Sequence, residues 1–284
     1  MANTTDLVRL LALTPIRAGA FRVERPPSMG GPRLFGGMVV AQALLAAYGT
    51  VTDRTCHSLH AYFVSAGNPE LPIDYEVESI RDGGSFTTRR VIAMQGGQQI
   101  LVLLASFQVS EDGPSHQATE QPAVPAAHTL PESTMGRPRS FRDSSEMFAL
   151  HQMVEMRQVH PRSFENPGIA PPHKSLWLRA PGAAGHSQFA HQIAFAFASD
   201  LNLLETAMRP HGLIWTSPGL QSASVDHAIW FHRPMEFSQW HQFSHASPTA
   251  HGARGFVRGE VFAEDGTLVA SIAQEGLMRV RKQM

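Results

Sequence analysis

Between Phe35 and Ala47 the chain reads FGGMVVAQALLAA, a run of helical length that is apolar on nearly every side behind a glycine pair. A surface helix carries one apolar stripe, so this circumference predicts a helix near 36–48 that is buried on most of its faces. GAFRVERP before it reads as a strand, and four strand-like runs come after: CHSLHAYFV, LPIDYEVESI, SFTTRRVIAM and QILVLLASFQV. RDGGS and QGGQ join the last three, and their Asp-Gly and Gly-Gly pairs are hairpin signals.

The same order of elements returns after residue 146. MVEMRQVHP and SLWLRAP are candidate strands, and HQIAFAFASDLNLLETAM reads as an apolar lead-in followed by a helix from about Ser199. SASVDHAIWFH, QWHQFSHAS, RGFVRGEVFA and TLVASIAQEGLMRV then read as strands. Short strings recur near the two ends, LLASFQ against LVASIAQ, and the aromatic pairs Tyr62-Phe63 and Trp230-Phe231 sit at matching points. Glu111–Glu146 is rich in Pro, Ser, Glu and small residues without an apolar period, and reads as a linker. The pattern predicts an internal duplication: a first unit over 1–110, a linker over 111–146 and a second unit over 147–284. Each unit is α+β, one helix against about five antiparallel strands.

Composition narrows the setting. The chain has 284 residues, 43% hydrophobic and 17% charged, with a formal net charge of -1 that gives no pull toward nucleic acid or an anionic membrane. The single cysteine, Cys56, excludes an intramolecular disulfide and fits a reducing compartment. The first fifteen residues lack the apolar run of a signal peptide, and no stretch has the length of a membrane span. A soluble cytoplasmic protein is expected.

The strings RLFGGMVVAQALLAA, HSLHAYFVSAGNPELPIDYEVESIRDGGSFTTRRV, FASDLNLL, DHAIWFHRP and ARGFVRGEVFAEDGTLVASIAQEGLMR resemble the acyl-CoA thioesterase II family over nearly the whole chain outside the linker. That resemblance implies a double hotdog fold and hydrolysis of fatty acyl-CoA by an activated water, with no covalent serine. Hotdog units usually bury sheet edges by pairing, so a homo-oligomer, dimer or tetramer, is expected, and no cofactor is expected. It places the catalytic Asp on Asp200, at the start of the second-half helix, and the catalytic Gln on Gln274. The family's Thr position holds Ser224, which keeps a hydroxyl but has a freer χ1. The family's Gln after FGG is Met38 here, so Gly36, Gly37 and Met38 become candidate substrate contacts with an altered polar character.

The residues themselves leave other readings open. Asp200 after Ser199 suits a base whose charge a helix start stabilises, and it equally suits a simple helix cap. Gln274 shares a strand face with Leu268, Ala270 and Ile272, so its amide is either a partner of Asp200, Ser224 and a water or a satisfied core group. Ser224 alone could be a packing residue; Asp226 and His227 point to opposite strand faces and read as structural. Gly36-Gly37 is either a turn or an amide-bearing helix end that polarises a carbonyl. It is no phosphate loop, because no Lys follows.

The pairs His57/His60, His227/His232 and His241/His245 lack the further ligands of a metal site. Arg89, Arg90, Arg233, Arg254 and Arg258 are candidates for coenzyme A phosphates. No G-x-S-x-G elbow supports a serine hydrolase. A hotdog hydratase would need His where Glu205 stands and Pro where Leu203 stands. A non-catalytic acyl-CoA sensor remains the other alternative.

Overall fold

The computed structural model describes residues 11–27, 32–133 and 153–281. The first half runs β1 (Thr14–Arg17), β2 (Ala20–Val23), α1 (Gly36–Tyr48), β3 (Thr55–Phe63), β4 (Ile73–Asp82), β5 (Phe86–Gln95) and β6 (Gln98–Gln108). The second runs β7 (Glu155–Gln158), β8 (His173–Arg179), α2 (Gln188–Ser199), α3 (Glu205–Met208), β9 (Leu220–Ser224), β10 (Asp226–Phe231), β11 (His241–His251), β12 (Arg254–Ala263) and β13 (Leu268–Val280). All thirteen strands join one antiparallel sheet in the order β1-β2-β4-β5-β6-β3-β10-β13-β12-β11-β8-β7, with β9 continuing along β13.

The order is nearly palindromic about its centre, as a duplication requires: β4-β5-β6-β3 on one side answers β11-β12-β13-β10 on the other. The halves meet edge to edge where β3 pairs β10, from Asp226 opposite Tyr62 to Trp230 opposite Ser58. Each half thus covers the other's exposed strand edge. The QGGQ turn between β5 and β6 forms as its composition predicts, with Gly96 and Gly97 both at positive φ, 54° and 82°.

α1 is buried from Gly37 to Leu44 and again at Ala46 and Ala47, packed against α2 and against β4, β5 and β6. Its apolar circumference follows from contact with sheet on one side and a second helix on the other. Complete burial of Val40 and Leu44 stabilises the fold by about 1.5–3 kcal/mol each. Gln42 interrupts the run without penalty on its oxygen, which accepts from the Tyr75 hydroxyl at 2.8 Å.

α2 corrects the sequence reading. The helix is Gln188–Ser199 and ends where it was expected to begin. Phe195 and Phe197 alternate with alanines, a period-2 pattern that hides a helix buried all round. Phe195 packs on Phe231, Phe237 and Phe243, while Phe197 meets Phe35 of the first half edge-on at 5.2 Å.

The described part of the linker is bonded to the second half. Gln117 bridges Gly266 O and Leu268 N, Gln242 Nε2 donates to Pro122 O, and Trp177 Nε1 donates to Pro125 O. The remainder of the expected linker, from residue 134, lies outside the described residues.

Candidate active site

Asp200 occupies the C-cap of α2 (φ -85°, ψ -8°), so the dipole of its own helix opposes its charge. Compensation comes from the other half. The Gly37 N–H, in the first turn of α1, donates to Asp200 Oδ2 at 2.8 Å. N–H groups in a first turn have no intrahelical acceptor, so a carboxylate from elsewhere satisfies one of them. The glycine pair is therefore an amide-bearing helix end whose first partner is an acidic side chain 163 residues away.

Glycine is needed there for room. A Cβ on Gly37 would stand 2.4 Å from Phe197 O, and one on Gly36 would stand 2.8 Å from Asp200 Oδ2. The two helices thus approach backbone to backbone, and that approach brings Gly37 N onto Asp200.

The second half supplies the remaining contacts. β13 pairs β10 along Ala270–Ala273 and β9 along Gly276–Val280, and the break between these partners at Val225 sets Ser224 beside Gln274. Gln274 shares the buried face of β13 with Ala270 and Ile272, as alternation predicts. Gln274 Nε2 donates to Asp200 Oδ1 at 2.6 Å and to Ser224 Oγ at 3.0 Å, and Ser224 Oγ donates to the same carboxylate oxygen at 3.3 Å. Asp200, Ser224 and Gln274 are one connected group.

Burial raises the Asp200 carboxyl to about 6, with Gln274, Gly37 and Ser224 pulling the other way. Gln274 Oε1 is buried and accepts no hydrogen bond among the described residues. A buried carbonyl oxygen without a donor is costly unless a ligand or water supplies one. The group therefore combines a carboxyl that burial raises to about 6 with an acceptor left open among the described residues.

Asp200, Ser224 and Gln274 line a cavity of about 580 Å³. They belong to its polar lining, with Arg33, Asn202 and Ser222 among the other polar groups; Leu34, Phe35, Val39, Phe63, Ile100 and Leu204 give it apolar walls. Trp215 and Phe164 also line it, residues that no periodic pattern had singled out.

Met38 is a correction. It is 1% exposed in the core around α1 and does not line the cavity, because the helix turns position 38 away while Gly36 and Val39 face it. Glu205 also stands apart from the carboxylate of Asp200, bonded to Lys174 and Arg162.

Most of the candidate arginines are engaged elsewhere. Arg89 binds Asp82 and Thr50, Arg90 pairs with Glu78, Arg233 donates to Leu268 O and Arg254 pairs with Glu275. Arg33 lines the cavity instead, a residue that sequence reasoning passed over because it lies in an irregular stretch. His57 and His232 bond Ser106 and Ser271, and His227 bonds Ser199 Oγ from a fully buried site that lowers its imidazole to about 4.

Two helix-and-sheet repeats fused through β3 and β10, with a polar group where one helix start meets the other helix end, define the double hotdog class. The profile of acyl-CoA thioesterases matches residues 144–277, and that of the acyl-CoA thioesterase N-terminal domain matches residues 24–108. Acyl-CoA thioesterase 2 of Haemophilus influenzae is 35% identical over 96% of this chain and 97% of its own length. Human acyl-coenzyme A thioesterase 8 is 36% identical over 97% of this chain and 89% of its own. The crystal structure of an acyl-CoA thioesterase II from Mycobacterium marinum is 32% identical, superposes with a TM-score of 0.79 and covers 98% of both chains. The chain belongs to the acyl-CoA thioesterase II family, a family of thioester hydrolases. No helix among the described residues is long and apolar enough to cross a membrane.

Proposed function

We propose that the protein hydrolyses fatty acyl-CoA thioesters to free fatty acid and coenzyme A, with Asp200 as the base that activates water. The convergence of Asp200, Ser224 and Gln274 in one cavity, with the Gly37 amide bonded to the Asp200 carboxylate, carries this reading. Ionised Asp200 takes a proton from water as the water oxygen attacks the thioester carbonyl. Gln274 Oε1 accepts the water's other hydrogen and fixes its direction. The N–H of Gly36, a cavity-lining residue at the start of α1, is the donor we assign to the developing oxyanion. Collapse of the tetrahedral intermediate breaks the C–S bond, and protonated Asp200 returns the proton to the departing sulfur. The acyl chain lies along the apolar walls, and Arg33 is the cation we assign to the phosphate end of the substrate.

A hydratase needs a second acid–base group at the acyl α and β carbons. Glu205 does not serve, because its carboxylate is committed to Lys174 and Arg162. Purified protein is expected to release free thiol from medium- or long-chain acyl-CoA, followed with a thiol reagent over a series of chain lengths. Tight binding without thiol release at any length would establish the acyl-CoA sensor in its place.

The hydroxyl makes the longest contact to the base, and its removal should matter least. Ser224→Ala is expected to lower kcat by about tenfold and Gln274→Ala by more, with little change in KM for either. Ser224→Thr, which installs the hydroxyl with a stiffer χ1, is expected to hold or raise kcat. Equal kcat in Ser224→Ala and the parent would remove Ser224 from the mechanism.

A further inference from the structure

Behind the cavity wall lies a buried ion cluster that the chemistry above leaves unused. Lys174 on β8, Arg162 and Arg209 surround the single carboxylate of Glu205 at the start of α3, and their side chains are only 4–9% exposed. Lys174 Nζ donates to Glu205 Oε2 at 2.7 Å, Arg162 Nη1 donates to Oε1 at 3.0 Å and Arg209 Nη1 stands 3.7 Å from Oε1. Burial alone would raise the Glu205 carboxyl; Lys174, and behind it Arg209 and Arg162, hold it below its ordinary range.

Three cations about one anion is a surplus of positive charge in a dry place. Backbone carbonyls absorb it. Lys174 Nζ donates to Asn202 O at 2.5 Å. Arg162 donates to Pro167 O, Gly168 O and Leu213 O, and Arg209 donates to Pro171 O. Each cation therefore pins a segment of chain, and Glu205 pins the cations. The Lys174 contact falls two residues after Asp200, where the chain leaves α2 through Asn202 at φ 59°. A non-glycine residue in the left-handed region persists only where its surroundings hold it. Leu201, Asn202 and Leu204 of this turn line the cavity directly.

We propose that Lys174, anchored by Glu205, is a positioning residue that locks the turn at Asn202 and so holds Asp200 against Gly37 N and Gln274. The inference rests on the reading of Asp200 as the base. Arg162 shares Glu205 but sends its other hydrogen bonds to Pro167 O, Gly168 O and Leu213 O, away from Asn202, so it supplies a contrast within the same cluster.

The test is Lys174→Met, which approximates the aliphatic stem and removes the ammonium that makes the clamp, measured beside Lys174→Arg, Arg162→Met and Asp200→Asn by steady-state kinetics, pH profile and thermal unfolding. For folded Lys174→Met, kcat is expected to fall about ten- to a hundredfold, the scale of an ångström of misplacement, with KM nearly unchanged. Its acid limb should move upward as the carboxylate loses hydrogen bonds. Lys174→Arg should recover part of kcat, and Arg162→Met should act chiefly on KM. A folded Lys174→Met with parental kcat and acid limb, in a set where Asp200→Asn is inactive, would overturn this proposal alone. An active Asp200→Asn would overturn the reading of the base itself. Should Lys174→Met fail to fold, Lys174→Arg decides: the longer, forked group cannot reproduce the 2.5 Å contact, and unchanged kcat and acid limb there would also overturn the proposal.

Discussion

Asp200→Asn is expected to lose thioester hydrolysis by about a hundred- to ten-thousandfold, the contribution of a general base, while the protein folds and gains stability above neutral pH. Asparagine fits the same place: its oxygen can accept from Gly37 N, its amide nitrogen can donate to Ser224 Oγ, and a flip of the Gln274 amide turns Oε1, which has no other partner among the described residues, toward that nitrogen. The stability gain follows from burial. Burial lifts the folded carboxyl to about 6 from an ordinary 3.8, so between those values the folded chain keeps a proton that the unfolded chain has released. Stability therefore falls as pH rises through that window, and above it the ionised group costs about 3 kcal/mol. The asparagine variant lacks this slope. Activity in the parent runs the other way, rising with an acid limb near pH 6 as the base ionises. Thermal unfolding at pH 4, 6 and 8, set beside kcat/KM over the same range, checks both halves. A variant with parental turnover, or with the parental pH slope of stability, would remove Asp200 from its role.

The opposed slopes illustrate what the sequence could carry. Gly-Gly and Asp-Gly turns, period-2 strands and the greasy run of α1 encode local preferences, and the hairpins and α1 formed where those preferences put them. The connected trio was legible through short strings around Asp200, Ser224 and Gln274, and Gln274 also through alternation. The register of α2 was not. A helix buried on every side has no polar face to mark its start, and Phe195 and Phe197 spaced by alanine imitate a strand. The error mattered chemically, because it gave Asp200 the favourable end of its own helix. The structure gives it the unfavourable end, with a first-turn amide of α1 as compensation. Met38 failed for a related reason: a string places a residue next to a cleft along the chain, but helical rotation decides whether it faces that cleft. The Glu205 cluster joins residues 162, 174, 205 and 209 through tertiary contacts, and no periodicity announces it.

Gly37→Ala is expected to damage stability and catalysis together, and Gly36→Ala catalysis alone. The distinction lies in what each new methyl would meet. At Gly37 it would press on Phe197 O at 2.4 Å, a backbone atom inside α2, and on the Phe35 ring at 2.7 Å. Neither helix can yield locally, so α1 and α2 must separate, at about 1–3 kcal/mol for an overpacked core. Separation draws Gly37 N away from Asp200 Oδ2, now 2.8 Å apart, and leaves the buried charge with one donor fewer. At Gly36 the methyl would meet Asp200 Oδ2 at 2.8 Å and the Phe63 ring at 2.9 Å, both ends of side chains that can rotate. The fold tolerates that displacement, but the base no longer points at the water. Thermal unfolding should therefore show a drop of several degrees for Gly37→Ala and little change for Gly36→Ala, with both variants losing most of kcat. Full activity in Gly36→Ala would mean that the carboxylate needs no fixed direction. Unchanged stability in Gly37→Ala would mean that the two helices are not locked at this crossing, and the glycine pair would be an ordinary turn after all.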